Sequence, residues 1–241
     1  MSELRVLNAY AGIGGNRHLW PARWKVTAVE NDPRVAAEYA RRYPDDVVLV
    51  EDAHAFVMER AAEFDASWSS PPCPTHSRLA INVARRKGVE PEPDPRLWEE
   101  IAHLRALGGR YVVENVHTYY APPIAPDVVT ERHYYWTNNA PLMVWPLAVL
   151  PVSGRRVGLT ADSIAESYGL PPLPAGSVAD RRKAMRNAVV PIEGLVIAES
   201  AFDASYAHVS ADPSPSATET LPDQAGSTGT GNQQDRTQEE K

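Results

Sequence analysis

Short apolar runs alternate with stretches in which apolar residues recur three or four positions apart, and this pattern persists through the first half of the chain. Residues 4–9 read as a strand that enters the turn Ala11-Gly12-Ile13-Gly14-Gly15, and a helix is expected from about Asn16. Residues 25–30 form a second strand ending in Glu30, and Pro33 suits the start of a helix that continues over 35–43. A short buried strand is expected over 47–50, with Glu51-Asp52 at its end, followed by a helix over 55–62. Residues 64–68 read as a fourth strand. Residues 97–107 form a helix closed by Gly108-Gly109, and 111–113 a fifth strand that leads into Glu114-Asn115-Val116. Alternation of this kind predicts an α/β fold, a doubly wound parallel sheet with helices on both faces. Ligands in such folds sit beyond the carboxyl ends of the strands. The turn from Gly12 to Gly15, Glu30, Asp52, Cys73 and Glu114 all fall there.

The pattern stops near residue 209. Residues 209–241 are rich in Ser, Thr, Gln, Gly, Pro and Asp, with few large apolar side chains, so they cannot offset their ordering entropy and are expected to be a disordered tail beside a folded body of 1–208. The net charge of −7 weighs against a nucleic-acid partner only until the tail is set aside, because the tail carries six acids and two bases. In the body the bases cluster at Arg85-Arg86-Lys87, Arg155-Arg156 and Arg181-Arg182-Lys183 with Arg186, and local patches decide binding. No run approaches the roughly 18 apolar residues of a membrane helix, and the first residues carry no signal-peptide pattern. A cytoplasmic protein with no membrane partner is expected. The single cysteine, Cys73, leaves no disulfide scaffold and no multi-cysteine metal site, and no metal is expected.

Three local motifs carry chemistry. Glycines after the first strand let the backbone approach a ligand, and a carboxylate at the end of the next strand, Glu30, can accept two ribose hydroxyls. With Asp52 at the third strand end this points to a nucleoside-containing cofactor, either a dinucleotide or S-adenosylmethionine. In Ser69-Ser70-Pro71-Pro72-Cys73-Pro74-Thr75-His76-Ser77 the thiol follows two prolines in a polar loop, where restricted backbone fixes its direction. Nucleophilic use requires the thiolate, and His76, Arg78 and the basic loop 85–87 supply an electropositive setting. Glu114 ends an apolar strand, a costly place for an acid without a partner or a task. An ion pair or a helix cap is the plain role; a carboxyl group that shares a proton with a substrate edge is the functional one.

Taken together and in this order, AYAGIGG, Glu30, SSPPCPTHS and VVENV resemble the DNA cytosine-5 methyltransferases, whose usual patterns are FAGIGG, GGPPCQ-x-x-S and ENV. Residues 131–138, ERHYYWTN, resemble the RARYFWGN form of the family's arginine-aromatic motif; the paired arginines read Glu131-Arg132-His133 here. Residues 159–171 resemble its LT…GFP segment, and Arg186-Asn187-Ala188-Val189-Val190-Pro191 its GNAVPVP motif. The resemblance spans residues 4–202. It implies a Rossmann-like class I S-adenosylmethionine-dependent methyltransferase fold with that cofactor. It implies a cofactor site of Tyr10, Ala11, Gly12, Gly14, Gly15, Glu30, Asn31, Asp52, Ala53, Pro72, Asn187 and Ala188, in which Glu30 takes the ribose and Asp52 the adenine amine. Cys73 would be the nucleophile, Glu114 the partner of the cytosine ring nitrogen, and Arg132 the partner of its carbonyl. The expected substrate is duplex DNA with a flipped cytosine, held by Ser77, Arg78, Arg85, Arg86 and Lys87.

Bacterial members of the family carry a recognition domain between the arginine-aromatic motif and the LT…GFP segment, and here residues 139–158 replace it. So short a segment is no domain, which resembles the minimal cores of phage-type enzymes and leaves few side chains for groove readout. A short or relaxed target is expected, in phage or restriction-modification DNA methylation, unless a second subunit supplies recognition. Two other readings stand beside it: the same chemistry on RNA or a free cytosine nucleotide, and a non-catalytic regulatory subunit.

Overall fold

The protein is described by a computed structural model over residues 3–89, 92–140 and 159–203. Most of the segment replacing a recognition domain (141–158) and the tail (209–241) lie outside the described residues.

Seven strands form one sheet in the order β3-β2-β1-β4-β5-β7-β6. In chain order they are β1 (Leu4–Ala9), β2 (Trp24–Val29), β3 (Val47–Leu49), β4 (Ala66–Ser69), β5 (Arg110–Val116), β6 (Val128–Val129) and β7 (His133–Thr137). β1 to β5 run parallel, as expected, but β7 lies antiparallel to β5 and β6 antiparallel to β7, so the sheet is mixed at one edge. This also lengthens β5. The expected strand ended at Val113, yet pairing with β7 carries the ladder through Val116 and places Glu114 inside the strand, opposite Tyr135.

Strand alternation sends neighbouring side chains to opposite faces. Val6, Trp68, Val112 and Tyr135 fill one face under helix α7 (Pro191–Phe202), with Trp20, Trp24, Ile197 and Phe202. Leu7, Val29, Val113 and Trp136 fill the other, under α2 (Ala53–Arg60) and α4 (Arg96–Leu107). α5 (Ala161–Tyr168) and α6 (Arg181–Asn187) share a third cluster with Ile13, Leu173 and Val190. α1 (Pro33–Arg42) begins at Pro33 as expected, because Asp32 caps it by accepting from the backbone N–H groups of Arg34 and Val35. Asp52 caps α2 in the same way and starts it two residues early.

Two expectations are corrected. Residues 85–87 are not a loop but the last turn of helix α3 (Arg78–Lys87), where three cations suit the negative end of the helix. The helix expected from Asn16 is a four-residue 3-10 turn (Asn16–Leu19), ended by extended backbone at Trp20 before Pro21. No long helix axis therefore backs the glycine turn.

That 3-10 turn is locked against α7. The Trp20 indole donates to the Gly194 carbonyl at 3.2 Å, and a Cβ on Gly194 would lie 2.7 Å from Asn16 Cα and 2.8 Å from its carbonyl oxygen. Gly194→Ala is expected to destabilise by about 1–3 kcal/mol through overpacking. Gly109→Ala, where nothing lies within 4 Å, should be near neutral. Urea denaturation of the two variants checks the contrast.

Candidate active site

The three glycines of the first turn do different jobs. A Cβ on Gly14 would strike the rings of Tyr43 and Tyr39 at 2.2 and 2.9 Å, and one on Gly15 would lie 2.5 Å from the Val189 carbonyl oxygen. Both are required by packing. Gly12, at φ +54, would meet nothing nearer than the Tyr10 carbonyl at 4.0 Å, so the space beside it is open. The Glu30 carboxylate accepts from Gly12 N at 3.0 Å with one oxygen and from Asp32 N at 2.9 Å with the other. The acid thus shapes the turn and borders the open space. Asp52 is exposed and spends one oxygen on capping α2 through Ala55 N at 2.9 Å. Ala11 is buried, its N–H donating to the Val29 carbonyl, Ala53 is buried in the first turn of α2, and Asn31 and Pro72 are exposed.

A group absent from the sequence reading holds this edge together. Glu100 of α4 is 0% exposed and accepts from the Tyr10 hydroxyl at 2.6 Å and the Ser69 hydroxyl at 2.5 Å, with His54 Nδ1 at 2.8 Å. It joins α4 and α2 to the ends of β1 and β4. Tyr10 has φ +55, unusual for a side chain of its size, and its bond to Glu100 anchors it. Burial pushes the Glu100 carboxyl up, against its three hydrogen-bond partners. The signal was present in the sequence: Glu100 sits in the buried stripe of α4 with Leu97, Ile101 and Leu104.

The cysteine loop is fastened to the segment after β5 at several points. Asn115 Nδ2 donates to the Pro71 carbonyl at 2.9 Å, Tyr119 N to the His76 carbonyl at 3.1 Å, and Ser77 bridges to Thr118. The buried His76 ring lies 2.6 Å from the Tyr120 hydroxyl through Nδ1, so His76 is an anchor of the loop. These ties set the loop that carries Cys73 against the end of β5, the strand of Glu114. Burial pushes the Cys73 thiol up, and the charge of Glu114 pushes the same way, while Arg132 and Arg186 pull it down. Cys73, Glu114, Arg132 and Arg186, spread over the whole body in sequence, therefore share one electrostatic environment.

Arg132 is half-buried and donates to the hydroxyl of Tyr168 on α5. Glu114 is 8% exposed, and its nearest cation is His133, with Nε2 3.6 Å from Glu114 Oε1. Burial pushes the Glu114 carboxyl up, against the pull of His133, the Ser70 hydroxyl and Arg132. Asn187 is exposed at the end of α6, and Ala188 is buried next to it. Arg78, Arg85, Arg86 and Lys87 are exposed along α3, which follows the cysteine loop directly after the half-buried Ser77.

No family model matches the chain, and no curated protein matches it. Among solved structures it is similar to an Escherichia coli prophage protein described as a DNA modification methyltransferase (18% identity, 49% of this chain and 33% of that one, TM-score 0.33). It is also similar to a SAM-dependent methyltransferase of Agrobacterium tumefaciens (16%, 50% and 41%, 0.35) and to Spodoptera frugiperda DNMT2 (21%, 47% and 35%, 0.35). The chain spans 33% to 41% of the length of these three. The fold is the Rossmann-like class I methyltransferase fold. That assignment rests on the strand order and the antiparallel β7. Among the described residues no helix is long and apolar enough to cross a membrane.

Because Cys73 is the chain's one cysteine, alkylation reads it alone. A raised thiol pKa predicts slow reaction with iodoacetamide at neutral pH, with the rate climbing above the pH at which free cysteine titrates. Glu114→Gln removes a carboxylate that, once ionised in the alkaline part of the titration, pushes the thiol up, so the inflection should move to lower pH. The rate of alkylation against pH for the two proteins gives the comparison.

Proposed function

We propose that this chain transfers a methyl group from S-adenosylmethionine to carbon 5 of cytosine in DNA through a covalent adduct of Cys73. The observation that carries the reading is the bond from Asn115 Nδ2 to the Pro71 carbonyl, which fastens the loop of Cys73 to the end of β5, where the carboxyl of Glu114 is buried.

The open space at Gly12, bordered by Glu30 with Asp52 at the next strand end, fits a nucleoside. Glu30 would hold the ribose, Asp52 the adenine, and Tyr10, Asn31, Pro72, Asn187 and Ala188 the rest of the cofactor. S-adenosylmethionine when bound supplies an electrophilic methyl group. The chain's own residues do the remaining work. Cytosine carbon 5 is a weak nucleophile. Addition of the Cys73 thiolate to carbon 6 converts the ring to an enamine, and Glu114 promotes that addition by donating a hydrogen bond to ring nitrogen 3. Arg132 and Arg186 favour the thiolate. Loss of the carbon 5 proton after methylation expels the thiol and restores the ring. The base is flipped to reach Cys73, and the cations of α3 grip phosphates.

Cys73→Ser is expected to abolish methyl transfer while cofactor binding stays near normal, since a hydroxyl is a far weaker nucleophile at neutral pH. DNA containing 5-fluorocytosine should give a covalent adduct with the unaltered chain and none with the variant, because fluorine does not leave as the proton does. Tritiated cofactor offered with duplex DNA, RNA and free cytosine nucleotide identifies the substrate. Label in RNA or nucleotide alone would overturn the DNA assignment, and turnover by the serine variant would overturn the role of Cys73.

Residues 139–158 leave room for two or three base-edge contacts, each worth about 1–3 kcal/mol of discrimination. The target should therefore be short, about one or two base pairs around the cytosine. Bisulfite sequencing of a plasmid treated with the purified chain measures it, and a strict target of about four base pairs or more would contradict the expectation.

A further inference from the structure

Behind Glu114 lies a row of ionisable groups that the chemistry above does not use. Glu114 on β5 and His133 on β7 sit on one face, because Glu114 pairs with Tyr135 and His133 is two residues before it. α7 covers that face and brings in Glu193. His133 is 6% exposed and Glu193 4%. The imidazole lies between the two acids, Nε2 3.6 Å from Glu114 Oε1 and Nδ1 3.5 Å from Glu193 Oε2. The hydroxyls of Tyr135 and Thr130 also bear on Glu193. Among the described residues the further charged group acting on the row is Arg132, which acts on His133 and on Glu114; Cys73 and Ser70 bear on Glu114 from the loop after β4.

Charge bookkeeping selects one arrangement. Around the row are Val112, Val128, Val189, Ile197 and Ala198, an apolar setting in which net charge is expensive. Arg132, half-buried and bonded to the Tyr168 hydroxyl, stands at the rim; within the buried row itself two carboxylates and one imidazolium would leave a net negative charge. One further proton removes it, and the acid best placed to hold that proton is Glu114, the member at the open end. We propose that Glu193 and His133 are positioning residues for Glu114: the Glu193 carboxylate holds His133 as an imidazolium, and the imidazolium takes one oxygen of Glu114, leaving the other oxygen with its proton to face the substrate. The directions of the individual groups agree. Burial raises Glu114. Burial lowers His133, but its two acidic neighbours outweigh that and raise it. Burial would raise Glu193, but the charge of His133 outweighs that and lowers it. Glu114 is then a hydrogen-bond donor before substrate arrives, which deepens the cytosine-5 reading and rests on it for its catalytic meaning.

The signs in two variants are opposite, which a merely structural role would not produce. Glu193→Gln removes a buried negative charge, so the row binds one proton fewer; Glu114 gives that proton up and takes over as the counter-charge of the imidazolium, and its titration should fall by about one pH unit or more. His133→Gln removes the cation, so Glu114 should titrate about one unit or more higher. Carbon-13 NMR of glutamate carboxyl carbons in the full chain, with Glu114 assigned from Glu114→Gln, reads this without any catalysis. Glu193→Asp keeps the charge and should restore the titration toward its original position. If Glu193→Gln does not fold, His133→Gln and Glu193→Asp decide. Shifts of the same sign in the two glutamine variants, or no shift in His133→Gln, would overturn the proposal. The pH profile of methyl transfer is then compared: its high-pH limb should follow Glu114, down in Glu193→Gln and up in His133→Gln. NMR shifts as expected with no methyl transfer to any pyrimidine would leave the charge arrangement standing and remove the function assigned to it.

Discussion

A carboxyl group taken out of water cannot be left without partners, and the carboxyl edge of this sheet is organised around two of them. An isolated buried carboxylate costs several kcal/mol even after relaxation. Glu114 meets the cost on one face of the sheet with His133 and, behind it, Glu193. Glu100 meets it on the other face with two hydroxyls and the ring of His54. The two acids differ in what their partners do. Glu100 is enclosed, and its contacts join four elements, so it serves as a clasp. Glu114 lacks such a set of hydroxyls, and its charge acts on Cys73.

The mixed edge of the sheet is what makes the second arrangement geometrically available. A sixth parallel strand beside β5 would need a long crossover of its own. An antiparallel β7 needs no such crossover and sets His133 diagonally across from Glu114. The same pairing extends β5 past Val113, which turns Asn115 toward the cysteine loop and its bond with the Pro71 carbonyl. A local departure from the parallel plan thus positions both the acid and the loop that carries the thiol.

The parts of the chain that were readable in sequence are those whose signal is local. Val6 and Leu7, or Val112 and Val113, declare a strand covered on both faces, and Gly108 closes α4 with the left-handed backbone expected of it. Cys73, Glu114 and Glu30 stood out because each sits where its residue type is costly or restricted, and the structure sets them at the same edge. Missed were the groups whose meaning depends on a distant partner. Glu193 reads as an ordinary acid in the first turn of a helix until α7 lies over β5. His133 stood out only as a departure from the paired arginines of the resembling motif. The direction of β7 has no local signature either, since alternation predicts a strand and says nothing of its sense. Residues 85–87 were read as a loop from their charge, although cations in a last helical turn are favourable.

The lock between Trp20 and Gly194 joins groups 174 residues apart. During synthesis the face carrying Val6, Trp20, Trp24 and Trp68 leaves the ribosome long before its cover does. At roughly 5–20 residues per second, the wait for α7 is on the order of ten to thirty seconds. Throughout that interval three indole rings on a half-built sheet pack on one another but lack the α7 side chains that cover them. Holdase chaperones bind surfaces of this kind, so the yield of native protein in a cell is governed by how long the nascent chain can be kept from its neighbours, and slower growth at lower temperature, with chaperones in excess, suits its production.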